Sequence, residues 1–185
     1  MPELQITYPR VVYLYNSEDT EPDAVLSVFS EVHSEAVRLS SMTVQHKASG
    51  LCWYVKPVDI LKGVDKKEYA GCCNLKMPEG EQFPEGVYTI IFTDYAGNTS
   101  ISNFTLDDSV LEKMPDKATV NKKFIVFDED RSVLYITADS NDSSDTVEQL
   151  SKKYPEGQTV REYISDVRKK AVYVLPEESL RNADE

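Results

Sequence analysis

No part of these 185 residues offers the ~18 consecutive apolar residues that a membrane-crossing helix needs, so no integral membrane segment is expected. The opening MPELQITYPR also lacks the basic head and apolar middle of a signal peptide. Two accounts of that start compete: a cytoplasmic chain, or an exported one whose export signal or lipid anchor has been trimmed ahead of Met1. Basic residues are in deficit, with 20 Lys and Arg against 32 Asp and Glu for a formal net charge of −12. That balance excludes nonspecific binding to nucleic acid or anionic lipid, since both require a cationic face. Glycine is scarce, while apolar content is ordinary and tyrosines number eleven, so most of the chain is expected to bury a core.

Cysteine is scarce and odd in number. Cys52, Cys72 and Cys73 make no C-x-x-C pair. An oxidising compartment would allow a bridge from Cys52 to one of the adjacent pair. Three small unbridged side chains are the equal alternative. Histidine is limited to His33 and His46, both in polar contexts that suit exposed loop or strand ends. Together with the cysteines they show no recognised zinc spacing.

Catalytic signatures are lacking as well: there is no GxSxG, HExxH, P-loop or dinucleotide fingerprint. A nucleophile pair of Cys52 with His46 is formally available, but Cys52 sits beside Trp53 in an apolar strand that suits a structural cysteine. DSNDSSDTVEQL, from Asp139, begins like an EF-hand loop. Ser144 then replaces its glycine, and Leu150 stands where its bidentate glutamate belongs. We expect no catalytic residue, metal or cofactor, and a chain that is not an enzyme. Asn98, Asn103 and Asn141 open N-x-S/T triplets, read as chance matches.

What is present, from Leu4 to Leu106, is a succession of short strands and turns. LQITYP and RVVYLYN are rich in β-branched and aromatic residues, and AVLSVFSEV, VRLSSMTVQ and LCWYVKPVD follow. Helical spacing of Val25, Phe29, Val32, Ala36 and Leu39 competes with the third of these, but its β-branched content favours strand. After a charged span come GVYTIIFTD and SISNFTL, a hairpin. In it Val87, Thr89, Ile91 and Thr93 point one way and Tyr88, Ile90 and Phe92 the other. Between its strands, Gly97 is free to take positive φ and Asp94 accepts hydrogen bonds from the turn's backbone. An interdomain calcium role for Asp94 and Asn98 is the lesser alternative.

The polar DDSVLEKMPDKATVNKK reads as a linker. Beyond it, Phe124 to Phe127 and Val133 to Ala138 predict a hairpin across DEDR. Asp145 with Glu148 predicts one capped helix. Thr159 with Glu162 predicts a second, bearing Val160, Tyr163, Ile164, Val167 and Ala171 on one face. AVYVLP is strand-like, ended by Pro176.

PEGVYTI resembles the approach to an immunoglobulin-type F strand, in which a Gly-x-Tyr sequence carries the tyrosine corner. DYAGNTS is similar to the D-x-A-G-N turn of many bacterial immunoglobulin-like domains, which are common in exported and surface proteins. The resemblance implies that Tyr88 bonds back to the backbone upstream and that Trp53 is the buried tryptophan of the C strand. It also implies that Ile90 replaces the second cysteine of the inter-sheet bridge. It implies an extracytoplasmic setting, periplasmic or surface-exposed, and no activity.

The expectation is therefore a mainly β chain: an immunoglobulin-like β-sandwich over 4–107, a linker over 108–116, and a small α+β module over 117–176 with a β-hairpin and two short helices. A frayed tail over 177–185 ends it. Its expected work is noncatalytic protein binding or scaffolding in a bacterial cell envelope, as part of a lipoprotein or other exported protein. Tyr13, Tyr15, Tyr54, Tyr69 and Tyr95 are the candidate contact residues, since rigid tyrosines on a sandwich suit proteins or sugars. The structural residues are Trp53, Tyr88, Asp94, Gly97 and Asn98. Two alternatives stand: a module binding cell-wall glycan through Trp53, Tyr54 and Tyr69, or an enzyme with a site at the junction of the two parts.

Overall fold

The computed structural model describes residues 3–17, 20–33, 35–63, 66–107, 123–137, 146–166 and 170–181. The chain divides into two compact units, Met1–Val11 with Ala24–Glu112 and Val12–Asp23 with Lys113–Glu185. The expected linker over 108–116 lies outside the described residues, as does the acidic run from Asp139 to Asp145.

The first unit is built of strands. β1 (Leu4–Leu14) is continuous, where LQITYP and RVVYLYN predict two separate strands. Pro9 lies within it, because the fixed φ of proline suits extended backbone wherever no ladder donor is required. β2 (Asp23–Val32) is strand rather than helix, as its β-branched residues favour. A short 3-10 turn at Ala36–Arg38 leads to β3 (Leu39–His46), followed by β4 (Cys52–Val55), β5 (Asp59–Lys62), β6 (Glu68–Lys76), β7 (Gly86–Asp94) and β8 (Thr99–Leu106). Within this unit one sheet runs β1-β2-β6-β5 and the other β4-β3-β7-β8.

The alternation along β7 fixes which side of the second sheet is wet. Tyr88, Ile90 and Phe92 are fully buried with Met42 and Val44 of β3 and Phe104 and Leu106 of β8. Leu26, Val28, Ala70 and Leu75 of the other sheet are buried too. Trp53 is half-buried: its ring stacks on Tyr88 at 6.4 Å, and its indole N–H donates to the Lys76 carbonyl at 2.8 Å. Gly71 of β6 lies opposite Phe29. A Cβ there would meet the Val28 carbonyl oxygen at 2.0 Å, so only glycine permits this approach of β2.

The second unit contains β9 (Lys123–Phe127), β10 (Val133–Ile136), α1 (Val147–Lys153), β11 (Thr159–Asp166) and β12 (Ala171–Ser179). Its strand order is β10-β9-β11-β12 followed by the end of β1, where the Tyr15 amide donates to the Val174 carbonyl at 2.9 Å. Phe124, Val126, Leu150, Val160 and Leu180 form one buried cluster, and Ile164, Ala171 and Tyr173 another, against Tyr13 and Tyr15.

Three expectations are corrected in this unit. Only one of the two short helices is present among the described residues, because Thr159 to Asp166 is strand β11. The register of β11 on β12 shifts between Arg161 and Tyr163. The extra residue lies on β12, between Val174 and Glu177, while β11 keeps an unbroken register on β9. Val160 and Ile164 face one way and Tyr163 the other, so burial on both faces of one strand imitates a helical spacing. The cap of α1 is Thr146, not Asp145: its side chain accepts from the Gln149 amide while the Gln149 side chain accepts from Thr146. Finally, β12 continues through Pro176 to Ser179, and Leu180, within the segment expected to fray, is buried.

Candidate functional site

The β7–β8 hairpin is anchored at its turn by one carboxylate. Asp94 Oδ1 accepts from the amides of Ala96 (2.9 Å) and Asn98 (2.8 Å), and Oδ2 accepts from Asn98 Nδ2 (2.9 Å). Gly97 takes φ 84°, in the left-handed region that favours glycine. The Asn98 side-chain bond, with the two backbone donors, holds the Asp94 carboxyl below its ordinary range. Both Asp94 oxygens are engaged by N–H donors, which makes this carboxylate a turn stabiliser.

At the start of the hairpin the Tyr88 hydroxyl donates to the Pro84 carbonyl at 2.6 Å. Its ring stacks on Phe104 at 4.9 Å, and burial pushes its phenol upward. His46 packs against the same ring at 4.8 Å. It is 2% exposed, which overturns its expected place at an exposed strand end. Its Nε2 lies 2.9 Å from the Glu85 carbonyl and so carries the proton, while Nδ1 accepts from Ser49 Oγ at 2.8 Å. A buried imidazole is satisfied by these partners alone, which is why polar neighbours in sequence misreport it.

The opposite side of this sheet is the candidate surface. Tyr54, Thr43, Ile91 and Ile101 lie in register across β4, β3, β7 and β8. The next row is Cys52, Gln45, Thr89 and Asn103, with Thr89 Oγ1 donating to Asn103 Oδ1 at 2.9 Å. Val87 with Thr105 and Thr93 with Thr99 extend it at either end. No residue of these rows is charged, although 28% of the chain is Asp, Glu, Lys or Arg. Ile101 is 62% exposed and Tyr54 66%. Cys52, expected in an apolar setting, is exposed here. All three cysteines are free, and only Cys72 is buried, with its thiol pushed up by desolvation.

The five candidate tyrosines do not share one surface. Tyr54 belongs to the uncharged face, while Tyr95 is exposed at the tip of the β7–β8 turn. Tyr69 lies on β6 of the other sheet, edge-on to Tyr8 at 5.9 Å. Tyr13 and Tyr15 are half-buried in the second unit, and Tyr13 stacks on Tyr173 at 5.3 Å. Burial there pushes the Tyr13 phenol up to about 12. Trp53 and Tyr54, being consecutive in a strand, point to opposite faces, so the glycan-binding cluster of Trp53, Tyr54 and Tyr69 is not assembled.

Sequence reasoning missed a polar recess of about 560 Å³ lined by Gln5, Glu31, Val32, His33, Lys66, Lys67 and Glu68. Glu31 is 5% exposed, and Lys67 Nζ lies 3.0 Å from its carboxylate. A buried charge of this kind requires such a partner, and nothing in the local sequence signals a pair formed between β2 and the segment before β6. No protein-family profile, curated protein or solved structure matches this chain.

Proposed function

We propose that the chain is a noncatalytic, immunoglobulin-like binding module of a bacterial envelope, working through the uncharged face of the β4-β3-β7-β8 sheet. The observation that carries this reading is the face itself. On a chain of net charge −12, four adjoining strands present Tyr54, Thr43, Ile91 and Ile101 in one row and Cys52, Gln45, Thr89 and Asn103 in the next, with no charged residue in either. Exposed apolar groups gathered without charge, on a rigid sheet, are what protein contact surfaces use at their centres.

The immunoglobulin-like part of the reading is supported by connectivity. The orders β1-β2-β6-β5 and β4-β3-β7-β8 follow the A-B-E-D and C′-C-F-G arrangement of such sandwiches, with β7 as the F strand. The Tyr88 bond to Pro84 is then the tyrosine corner, and buried Ile90 takes the place of the bridge cysteine. On this mapping Trp53 belongs to C′, not to C. The D-x-A-G-N form of the β7–β8 turn supports an exported, envelope-facing setting.

The test is retention of an envelope protein by the immobilised full chain, compared with Tyr54→Lys and with Val37→Lys. Val37 is 71% exposed outside the face. We expect retention to be lost with the first variant and kept with the second. Equal retention by both would reject the face as the contact surface.

A further inference from the structure

We infer that the polar recess at the ends of β1, β2 and β6 binds a small zwitterion of the α-amino-acid class, its ammonium taken by Glu31 and its carboxylate by Lys67. This site goes beyond the uncharged face: it lies on the other sheet of the first unit and shares no residue with that face.

The recess is built around a charge that the fold does not need. Glu31 of β2 lies opposite Tyr69 of β6, and Tyr69 lies opposite Leu61 of β5. The Tyr8 ring meets that of Tyr69 edge-on at 5.9 Å. In such a row an apolar residue at position 31 would serve stability as well as an ion pair does, because desolvating two charges offsets their attraction. Position 31 instead carries a carboxylate only 5% exposed, with Lys67 Nζ 3.0 Å from each of its oxygens and the Tyr8 hydroxyl 3.5 Å from one. The Lys67 side chain is 47% exposed, so the pair has one side open to a solute. A buried charge with a specific partner, set in a cleft, marks a binding site.

The rest of the lining selects the solute. Bonds from the Gly63 amide to the Lys67 carbonyl (2.9 Å) and from the Lys66 amide to the Gly63 carbonyl (3.0 Å) close the turn before β6. They set exposed Lys66, at φ 65°, next to Lys67. Glu68 follows, and Gln5 Nε2 donates to His33 Nδ1 at 3.4 Å. With Glu31 and Glu68 against Lys66 and Lys67, a lone cation or a lone anion meets repulsion as well as attraction. The field of a chain at −12 turns a lone anion away further. A solute carrying both charges on one carbon meets neither objection: its ammonium joins Lys67 at Glu31, and its carboxylate lies between Lys67 and Lys66. Gln5, His33 and Glu68 then suit a polar side chain. The volume of about 560 Å³ is in the range of small-molecule sites.

The test is a titration of the isotope-labelled full chain with L-glutamine, followed by heteronuclear NMR. Saturating shifts are expected at the amides of Glu31, Val32, His33, Lys66, Lys67 and Glu68. Glutamine methyl ester, which lacks the carboxylate, and N-acetylglutamine, which lacks the ammonium, should each bind at least about tenfold more weakly. The double variant Glu31→Gln with Lys67→Met leaves no buried charge unpaired, so it should keep a folded spectrum and lose the shifts. Tyr54→Lys should leave glutamine binding unchanged. Absence of glutamine shifts across a millimolar series, equal shifts from all three compounds, or shifts that survive in the double variant each overturn the inference.

Discussion

Tyr88 performs two tasks that a single atom separates. Its ring fills space against Phe104 and His46, and its hydroxyl holds the Pro84 carbonyl. Tyr88→Phe keeps the first and removes the second, so it should cost about 1–2 kcal/mol in chemical denaturation. The raised phenol has a signed consequence. Stability owed to neutral, buried Tyr88 is fully present below about pH 10 and is lost as pH rises toward its elevated folded value. Tyr88→Phe should therefore flatten the alkaline limb of a stability–pH curve. Asp94 acts in the other direction. Its lowered pKa gives stability that is present above the unfolded carboxyl value and lost as pH falls through the folded one. Asp94→Ala should lower stability at neutral pH and remove that acid limb, measured by denaturation between neutral and strongly acidic pH.

Among elements, β7 and β8 were the most legible, because strict alternation from Val87 to Thr93 and a D-x-A-G-N turn state both the face and the hairpin. β11 differs from the expected helix for a physical reason: it is covered on both faces, so Val160 and Ile164 on one side and Tyr163 on the other give a strand a helix-like burial spacing. β12 is expected to end at Pro176 because proline usually ends a strand, but Pro176 falls in the register shift between Val174 and Glu177, where proline is tolerated. Leu180 tests that correction. Fully buried beside Val126 and Gly157, it should cost about 2–5 kcal/mol when changed to Ala, where a frayed residue would cost nothing measurable. Gly71→Ala should be more damaging to the β2–β6 pairing, about 3 kcal/mol or more, since its Cβ would strike backbone rather than a movable side chain. The uncharged face was only partly legible: Val87, Ile91 and Thr93 were placed on one side from the sequence, whereas Tyr54 and Ile101 join them only through strand pairing.

For the molecule as a whole, the sequence suggested two consecutive parts, and residue composition alone supports that view because each part carries its own apolar pattern. Strand pairing interleaves them instead. Val12–Asp23 is counted with the second unit although Met1–Val11 and Ala24–Glu112 make up the first. A fragment ending at Leu106 should consequently leave the end of β1 without β12, visible as fast amide exchange from Val12 to Tyr15. The bond from the Tyr15 amide to the Val174 carbonyl also sets a schedule for the ribosome. At about 5–20 residues per second, the nascent strand must wait roughly 10–30 s for a partner almost the whole chain away. During that interval its tyrosines are open to any holding factor that meets the emerging polypeptide.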